Sequence, residues 1–446
     1  MDILCKFEKI ENENEVQRIS YNKSQIWPFL RVYLSYSIFG KGKIATKSLN
    51  ILKTFKNVFY GFFNYRLNVD YIFFTDTADR KYINNKYYDR IDFLSEKYNN
   101  KIVFELTTTD YYKRNDIPTK NIVSKLPLYI LARIIRLFVN LKKIENINII
   151  QNIIEKNNFD FDTDSYLKDY ISHYKVGKIL IKFFRPKALI LAPSYTNFPY
   201  IDAFKSKGLI VIELQHGLIN NKHLAYNFNI EIENNLFPDY LFTYGEFEKS
   251  IFNSKNSFIN KQNVIPTGHF YINFIKNNYK PNIELSRLLK EYDLSIAVTL
   301  QPNFEQKLLD FIFNVASENK NVAFVIIPRN PIEIDFKEDN VFLNTKIDCY
   351  QTVLNTDIHC TIYSSCAVEA IGLHKANILI DIDNKSNEYL SFLFDIKNNY
   401  FVKNEKEFNT VIKKENFSIK SDVSSKFFNG DFSKTLNENF DKIFDL

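Results

Sequence analysis

Short, unbroken apolar runs punctuate this chain, and polar stretches of helical length separate them. The first series comprises 69–75 (VDYIFFT), 101–106 (KIVFEL), 188–192 (ALILA), 209–214 (LIVIEL), 239–244 (DYLFTY) and 263–266 (NVIP). A second series comprises 295–299 (SIAVT), 322–327 (VAFVII), 357–362 (DIHCTI) and 376–382 (ANILIDI). Runs that are continuous rather than alternating suit strands covered on both faces, as in a parallel sheet. Residues 84–98, 200–207, 305–317, 349–354 and 367–373 lie between them and are long enough for crossover helices. The first 65 or so residues and residues 117–180 also read as helical, and the tail from Lys403 as helical in part. The polar segment 278–286, with Pro281, reads as a linker. The pattern predicts an α/β protein of two doubly wound domains, 1–278 and 287–446, with extra N-terminal helices and a cleft between the domains. In such sheets ligands sit beyond the carboxyl ends of the strands, so candidate chemistry is sought just after each run.

Composition agrees. At roughly 100–200 residues per domain, 446 residues make two or three domains. With 45% hydrophobic and 25% charged residues, the chain can bury substantial cores. The net charge of +6 is unevenly placed. No acid occurs from Val16 to Val69, where Arg18, Lys23, Arg31, Lys41, Lys43, Lys47, Lys53, Lys56 and Arg66 are basic. A second acid-free stretch, Ile117 to Ile144, carries Lys120, Lys125, Arg133, Arg136, Lys142 and Lys143. Basic residues among Phe, Leu and Tyr suit an anionic membrane surface. Nucleic acid is the rival partner, but no RNA- or DNA-binding motif accompanies the stretches, and solvated helix faces are the plain alternative. The apolar segment Leu126 to Leu141 is too short to span a bilayer and is interrupted by Arg133 and Arg136. Cys5, Cys349, Cys360 and Cys366 match no zinc or redox spacing and read as free thiols of a reducing compartment. The N-terminus has no signal-peptide profile. These features predict a cytoplasmic chain suited to a peripheral position on the inner membrane.

Four strand ends carry candidate chemistry. Glu213-Leu214-Gln215-His216-Gly217 closes the run 209–214. An imidazole there suits removal of a hydroxyl proton, while Gly217 would permit a positive φ or a close backbone approach. A hydrogen-bonded loop histidine is the structural alternative. His223 is near enough in sequence to join, but no convincing third metal ligand accompanies the pair. Pro328-Arg329-Asn330-Pro331 follows 322–327, and an arginine there can form paired bonds to phosphate. Taken alone, it is more often a surface loop. Tyr363-Ser364-Ser365 opens a helix after 357–362. Its hydroxyls and free N–H groups suit phosphate, or simply cap the helix. Glu369, one turn further, suits a ribose hydroxyl or solvent. Thr299-Leu300-Gln301-Pro302 follows 295–299, and Gly268 in Pro266-Thr267-Gly268-His269 lies at the handover between domains.

The order strand–His-Gly, Pro238-Asp239-Tyr240 to Gly245, Pro-Thr-Gly, Arg-x-Pro and Tyr-Ser-Ser-x-x-x-Glu resembles GT-B enzymes of bacterial capsule and lipopolysaccharide assembly. It is similar to the CDP-glycerol glycerophosphotransferases, which carry His-Gly and Tyr-Ser-Ser motifs. It also resembles capsule sialyl- and Kdo-transferases, with His-Pro and Ser-Ser motifs. The resemblance covers residues 185–385. It implies two Rossmann-like domains, with a nucleotide-sugar donor on the C-terminal one and a glycan or lipid-linked glycan acceptor on the other. His216, with Glu213 in the same motif, falls at the proposed catalytic position. Ser364 and Ser365 fall on the phosphate-binding pair, and Arg329 and Pro331 on the His-Pro region. Asn330 stands where that histidine belongs, which departs from a CMP-type donor. Thr299, Gln301, Gly268 and Glu369 complete the expected donor side. The reading is a metal-independent glycosyltransferase with no resident cofactor. The alternatives are a CDP-polyol phosphotransferase, whose product would gain phosphorus, and an inactive membrane-associated assembly scaffold. Asp160-Phe161-Asp162 and Asp381-Ile382-Asp383 have the Asp-x-Asp spacing of a metal motif in unsuitable surroundings.

Overall fold

The computed structural model describes residues 3–38, 56–107, 111–233, 235–253, 255–344, 347–414 and 417–445. By its internal contacts the chain forms two compact units, residues 1–267 with 433–446, and residues 268–432.

Unit 1 holds a seven-stranded parallel sheet: β1 (Tyr71–Asp76), β2 (Lys101–Leu106), β3 (Ile122–Ser124), β4 (Ala188–Leu191), β5 (Ile210–Leu214), β6 (Tyr240–Thr243) and β7 (Val264–Pro266). Their order in space is β7-β6-β5-β4-β1-β2-β3. Unit 2 holds six parallel strands: β8 (Leu294–Thr299), β9 (Val322–Ile327), β10 (Val341–Leu343), β11 (Ile358–Thr361), β12 (Ala376–Ile380) and β13 (Asn399–Val402), ordered β10-β9-β8-β11-β12-β13. Both sheets share the Rossmann order 3-2-1-4-5-6, extended by one strand in unit 1. The order reverses between β1 and β4 and between β8 and β11, and these switch points are where such sheets open to ligands. The apolar runs form strands because both faces are covered: every residue of β4 and β9 is buried.

Several expectations are corrected. Residues 84–98 do not form a crossover helix. Lys81–Ile83 and Lys86–Tyr88 pair as a hairpin around Asn84-Asn85, both at positive φ, followed by one helical turn at Asp92–Ser95. Two successive asparagines tolerate the left-handed conformation that a tight hairpin needs. The stretch 117–180 is not wholly helical, since β3 lies in it. At three residues that edge strand is too short to show a period. The helix Ile283–Leu289 occupies part of the expected linker, and the units divide ahead of it, at Thr267/Gly268.

The N-terminal helices α1 (Ile3–Glu13) and α2 (Trp27–Ile38) join the unit 1 core through Phe7, Trp27 and Leu30. Helix α3 (Leu126–Arg136) packs on α4 (Thr163–Phe184), which packs on α5 (Phe198–Lys205). In unit 2, α6 (Glu305–Glu318) covers the sheet, and α7 (Cys366–Gly372) follows β11. The last helix, α8 (Phe432–Phe444), returns most of its length to unit 1. There Phe440 packs against Tyr71 and Tyr98 at ring distances of 5.2 and 4.8 Å. Among the described residues, no helix is long and apolar enough to cross a membrane.

Candidate functional site

In unit 1, a cavity of about 690 Å³ opens at the carboxyl ends of the strands. Thr75, Asp76 and Asp79 reach it from the end of β1, Leu106 from β2, and Lys125 from just beyond β3. Pro193, Thr196 and Asn197 follow β4, and His216 follows β5. The β1/β4 switch point is thus a formed cavity.

His216 is where the sequence places it, two residues past β5 and on the cavity wall. Its Nε2 lies 3.1 Å from the Tyr195 hydroxyl, and its Nδ1 is buried with no hydrogen-bond partner among the described residues. Burial, with the positive charge of Arg90 second, pushes its pKa down to about 3, so the ring is neutral at pH 7. Gly217 takes no positive φ, and a Cβ there would meet nothing within 4 Å. The expected conformational reason for that glycine is therefore absent.

Glu213 is fully buried and does not line the cavity. Its Oε1 accepts the Ser194 N–H at 3.0 Å and the Tyr226 hydroxyl at 2.5 Å. Burial raises its pKa to about 7 against those bonds. It acts through others: it holds the loop carrying Tyr195, and Tyr195 in turn holds His216. Gln215 serves similarly, donating to Gly217 O and Glu248 and accepting from the Tyr244 N–H. His223 is half-buried beside Tyr195 and Tyr226, outside the cavity, with its pKa pushed to about 4 by desolvation.

In unit 2, the chosen residues share the carboxyl edge of the second sheet. Thr299 closes β8, and its hydroxyl lies 2.9 Å from Nε2 of His359. Gln301 is buried just beyond. The Leu300 N–H donates to Ile327 O at 3.0 Å, bringing the loop with Arg329 beside that with Gln301. Tyr363 donates to Pro302 O at 3.4 Å, tying the Ser364–Ser365 turn to the same edge. Arg329 and Pro331 are exposed. Ser364 Oγ accepts the N–H of Cys366, the first residue of α7, at 3.2 Å, while Ser365, the N-cap residue, makes no side-chain cap and is exposed. Glu369 is half-buried in the first turn of α7. Gly268 has its own reason for being glycine: φ is 98°, and a Cβ would stand 2.7 Å from Asn429 O.

Sequence reasoning missed several features here. Tyr363 stacks on Tyr389 at 5.2 Å, with Phe304 edge-on at 5.6 Å, forming an aromatic ledge at this edge. Beneath it, Thr299, His359, Asn377 and Asn399 link four strands by side-chain hydrogen bonds of 2.7–2.9 Å. Asn377 also donates to Ala367 O and so anchors α7. In unit 1 the missed residues are Lys125, Asp76, His173 and Asn197. Lys125 sat in a stretch read as surface charge, and only its burial marks it out. The Asp-x-Asp pairs have local roles: Asp162 caps α4 through the Ser165 N–H, and Asp383 pairs with Lys307. Among the described residues, no group of three His, Cys, Asp or Glu side chains is arranged to hold a metal ion.

No protein-family model matches the chain, and no curated protein matches it. Solved structures do. The MnaA–UDP structure from S. aureus covers 85% of this chain and 98% of its own, at 13% identity and a TM-score of 0.50. The calicheamicin glycosyltransferase CalG4 covers 85% and 99%, at 7% identity and a TM-score of 0.50. The fold is GT-B. The wall teichoic acid polymerase TagF aligns over 93% of this chain and 98% of its own, at 12% identity and a TM-score of 0.46. At these identities the likeness is one of fold.

Proposed function

We propose that the chain is a glycosyltransferase that moves a sugar from a nucleotide-activated donor to a glycan of a surface polysaccharide, capsule or lipopolysaccharide. The observation that carries this reading is the paired placement of chemistry. His216 follows β5 on a formed cavity of unit 1, while Gln301, Arg329 and the Ser364–Ser365 turn share the carboxyl edge of unit 2. The donor's phosphate would meet Arg329 and the serine turn, whose donors offset charge developing on the leaving group without calling on a divalent ion. The nucleobase would lie on the Tyr363–Tyr389 ledge. On the acceptor side, His216 stands on the cavity wall, where it would receive the acceptor hydroxyl's proton.

The test is donor binding. A thermal-shift screen of uridine and cytidine nucleotides identifies the ligand, and calorimetry then compares Arg329→Ala and Ser364→Ala with the parent. Each lost charge-assisted bond weakens binding by about 1.5–3 kcal/mol. Unchanged nucleotide affinity in both variants puts the nucleotide elsewhere.

The location belongs to the same reading: a cytoplasmic enzyme at the inner-membrane surface. Two of the cations first counted for this are not on the surface. Arg31 is fully buried and pairs with Glu11 at 3.1 Å, and Lys125 is buried at the unit 1 cavity. Lys41, Lys43, Lys47 and Lys53 lie outside the described residues. Support comes instead from α3. Its outward stripe of Ile130 and Ile134 continues through Leu137 and Phe138, which are 80% and 78% exposed. Arg133, Lys142 and Lys143 are exposed alongside.

A further inference from the structure

The unit 1 cavity contains a charge that the proposed chemistry does not use. Lys125 is 4% exposed and lines the cavity at the β1/β4 switch point. Its Nζ donates to Asn197 Oδ1 at 2.8 Å and lies 4.0 Å from the centre of the Phe74 ring. Among the described residues no carboxylate forms an ion pair with it. A buried ammonium held by one amide oxygen and a ring face is expensive in solvation. Among the described residues no acid pairs with it directly, although three acids line the same cavity. Each of those is engaged elsewhere: Asp169 with Arg136 at 2.7 Å, Asp79 with Arg90 at 3.5 Å, and Asp76 with the Ala78 N–H at 2.8 Å. Burial pushes the Lys125 pKa down to about 7, against a weaker pull from Asp76, as expected for a cation without a close counter-ion.

The remaining wall carries Arg133, several aliphatic side chains, and aromatic and polar groups. Tyr33, Tyr129, Tyr166 and Tyr200 supply ring faces, and Thr196 and Asn197 supply polar groups. His173, bonded through Nδ1 to the Tyr200 hydroxyl, is held neutral by burial, with the nearby Lys125 charge second. Ring faces with a few placed polar groups suit a sugar ring, and the volume is that of a small-ligand pocket.

We propose that this cavity binds an acidic sugar unit, with Lys125 as the counter-ion of its carboxylate or phosphate. The step rests on reading unit 1 as the acceptor side, and it gives the acceptor a chemical class. The ligand's oxyanion would complete the ammonium's coordination and remove the solvation cost of the empty state. A lysine is kept buried here at the expense of stability, as at sites kept for function.

The experiment is calorimetry on the full chain, without donor, using glucose, glucuronic acid and glucose 6-phosphate. The neutral sugar controls for ring stacking, and the two acids separate carboxylate from phosphate recognition. At least one acid is expected to bind about 10–100-fold more tightly than glucose, the span of one charge-assisted bond. In Lys125→Met that preference should vanish while glucose binding persists. The melting temperature of the variant should stay level or rise, because a buried charge has been removed. A purely structural lysine would instead lower it and leave the probe preference unchanged. Equal binding of the three probes, binding of none, or an acidic preference that survives K125M overturns the proposal. If K125M does not fold, Lys125→Gln, which keeps a polar group beside Asn197, makes the same comparison. No donor or turnover enters, so a failed glycosyltransferase reading and a failed acidic-sugar reading give different results.

Discussion

At the scale of single residues, the motif around His216 separates into a contact residue and its supports. His216 faces the cavity, whereas Glu213 and Gln215 hold the loops around it. His216→Ala in a folded protein should lower turnover by about 10²–10⁴-fold, the usual scale for a lost general base. A single-turnover assay showing near-parent rates would remove that role. Glu213 makes a separate prediction about pH. Its folded pKa is raised from 4.5 to about 7, so between those values the folded protein holds a proton that the unfolded chain releases. The stability associated with this group is therefore highest at low pH and is lost as pH rises through that window, by about 3 kcal/mol. Glu213→Gln cannot titrate. Relative to the parent it should gain stability from pH 5 to pH 7 in denaturant unfolding and level off above that. A pH-independent difference would show that the carboxyl is already ionised in the fold. The buried state of Glu213 was not legible in the sequence, because a strand-end glutamate reads equally as a catalytic acid or as a loop anchor.

At the scale of elements, α3 has two apolar faces. Leu128 and Ala132 are buried against the unit 1 core, while Ile130 and Ile134 on its outside, and Leu137 and Phe138 just past its end, are exposed. A helix that merely packs on a core would be polar on that outer stripe. On an anionic leaflet, each neighbouring basic residue adds about 1 kcal/mol, an attraction that salt screens. The protein should float with vesicles containing anionic lipid at low salt and release at high salt. Paired substitutions Ile134→Glu and Leu137→Glu should abolish flotation without altering the far-ultraviolet circular dichroism. Equal flotation with neutral vesicles, or no effect of the substitutions, would count against this surface. The sequence showed the basic and apolar content of this region, but not which side chains turn outward. Tertiary packing buried Lys125 and Arg31 out of the same stretches, each beside a partner far away in sequence.

At the scale of the whole molecule, the C-terminal helix decides what unit 1 is. Phe440 is fully buried on Tyr71 and Tyr98, and Asp441 pairs with Lys97. Phe440→Ala should cost about 3–5 kcal/mol, as for other buried aromatic truncations. Hydrogen exchange should quicken in β1 and β2. Equal quickening throughout β8–β13 would show that the helix belongs to the other unit's stability instead. A polar tail helix carries no local mark of the sheet it will cover, so nothing in residues 403–446 pointed back to β1.

The sequence by itself determined the class of fold and which candidate residues follow each strand. Continuous β-branched and aromatic runs form parallel strands wherever they meet cover, so most strands of both sheets were legible within a residue or two. His216, Gln301, Arg329, Ser364 and Ser365 follow those strands by chain connectivity alone. Short strands such as β3 and β10, the Asn84-Asn85 hairpin and the return of α8 were not legible, because pairing partners and cover lie far along the chain. The roles within the site were also left to the tertiary structure. Whether a lysine is a solvated surface charge or a buried cation facing a cavity depends on what folds over it. For Lys125 the deciding neighbours are Phe74, Asn197 and Tyr200, supplied by β1 and by α5 with its N-terminal loop.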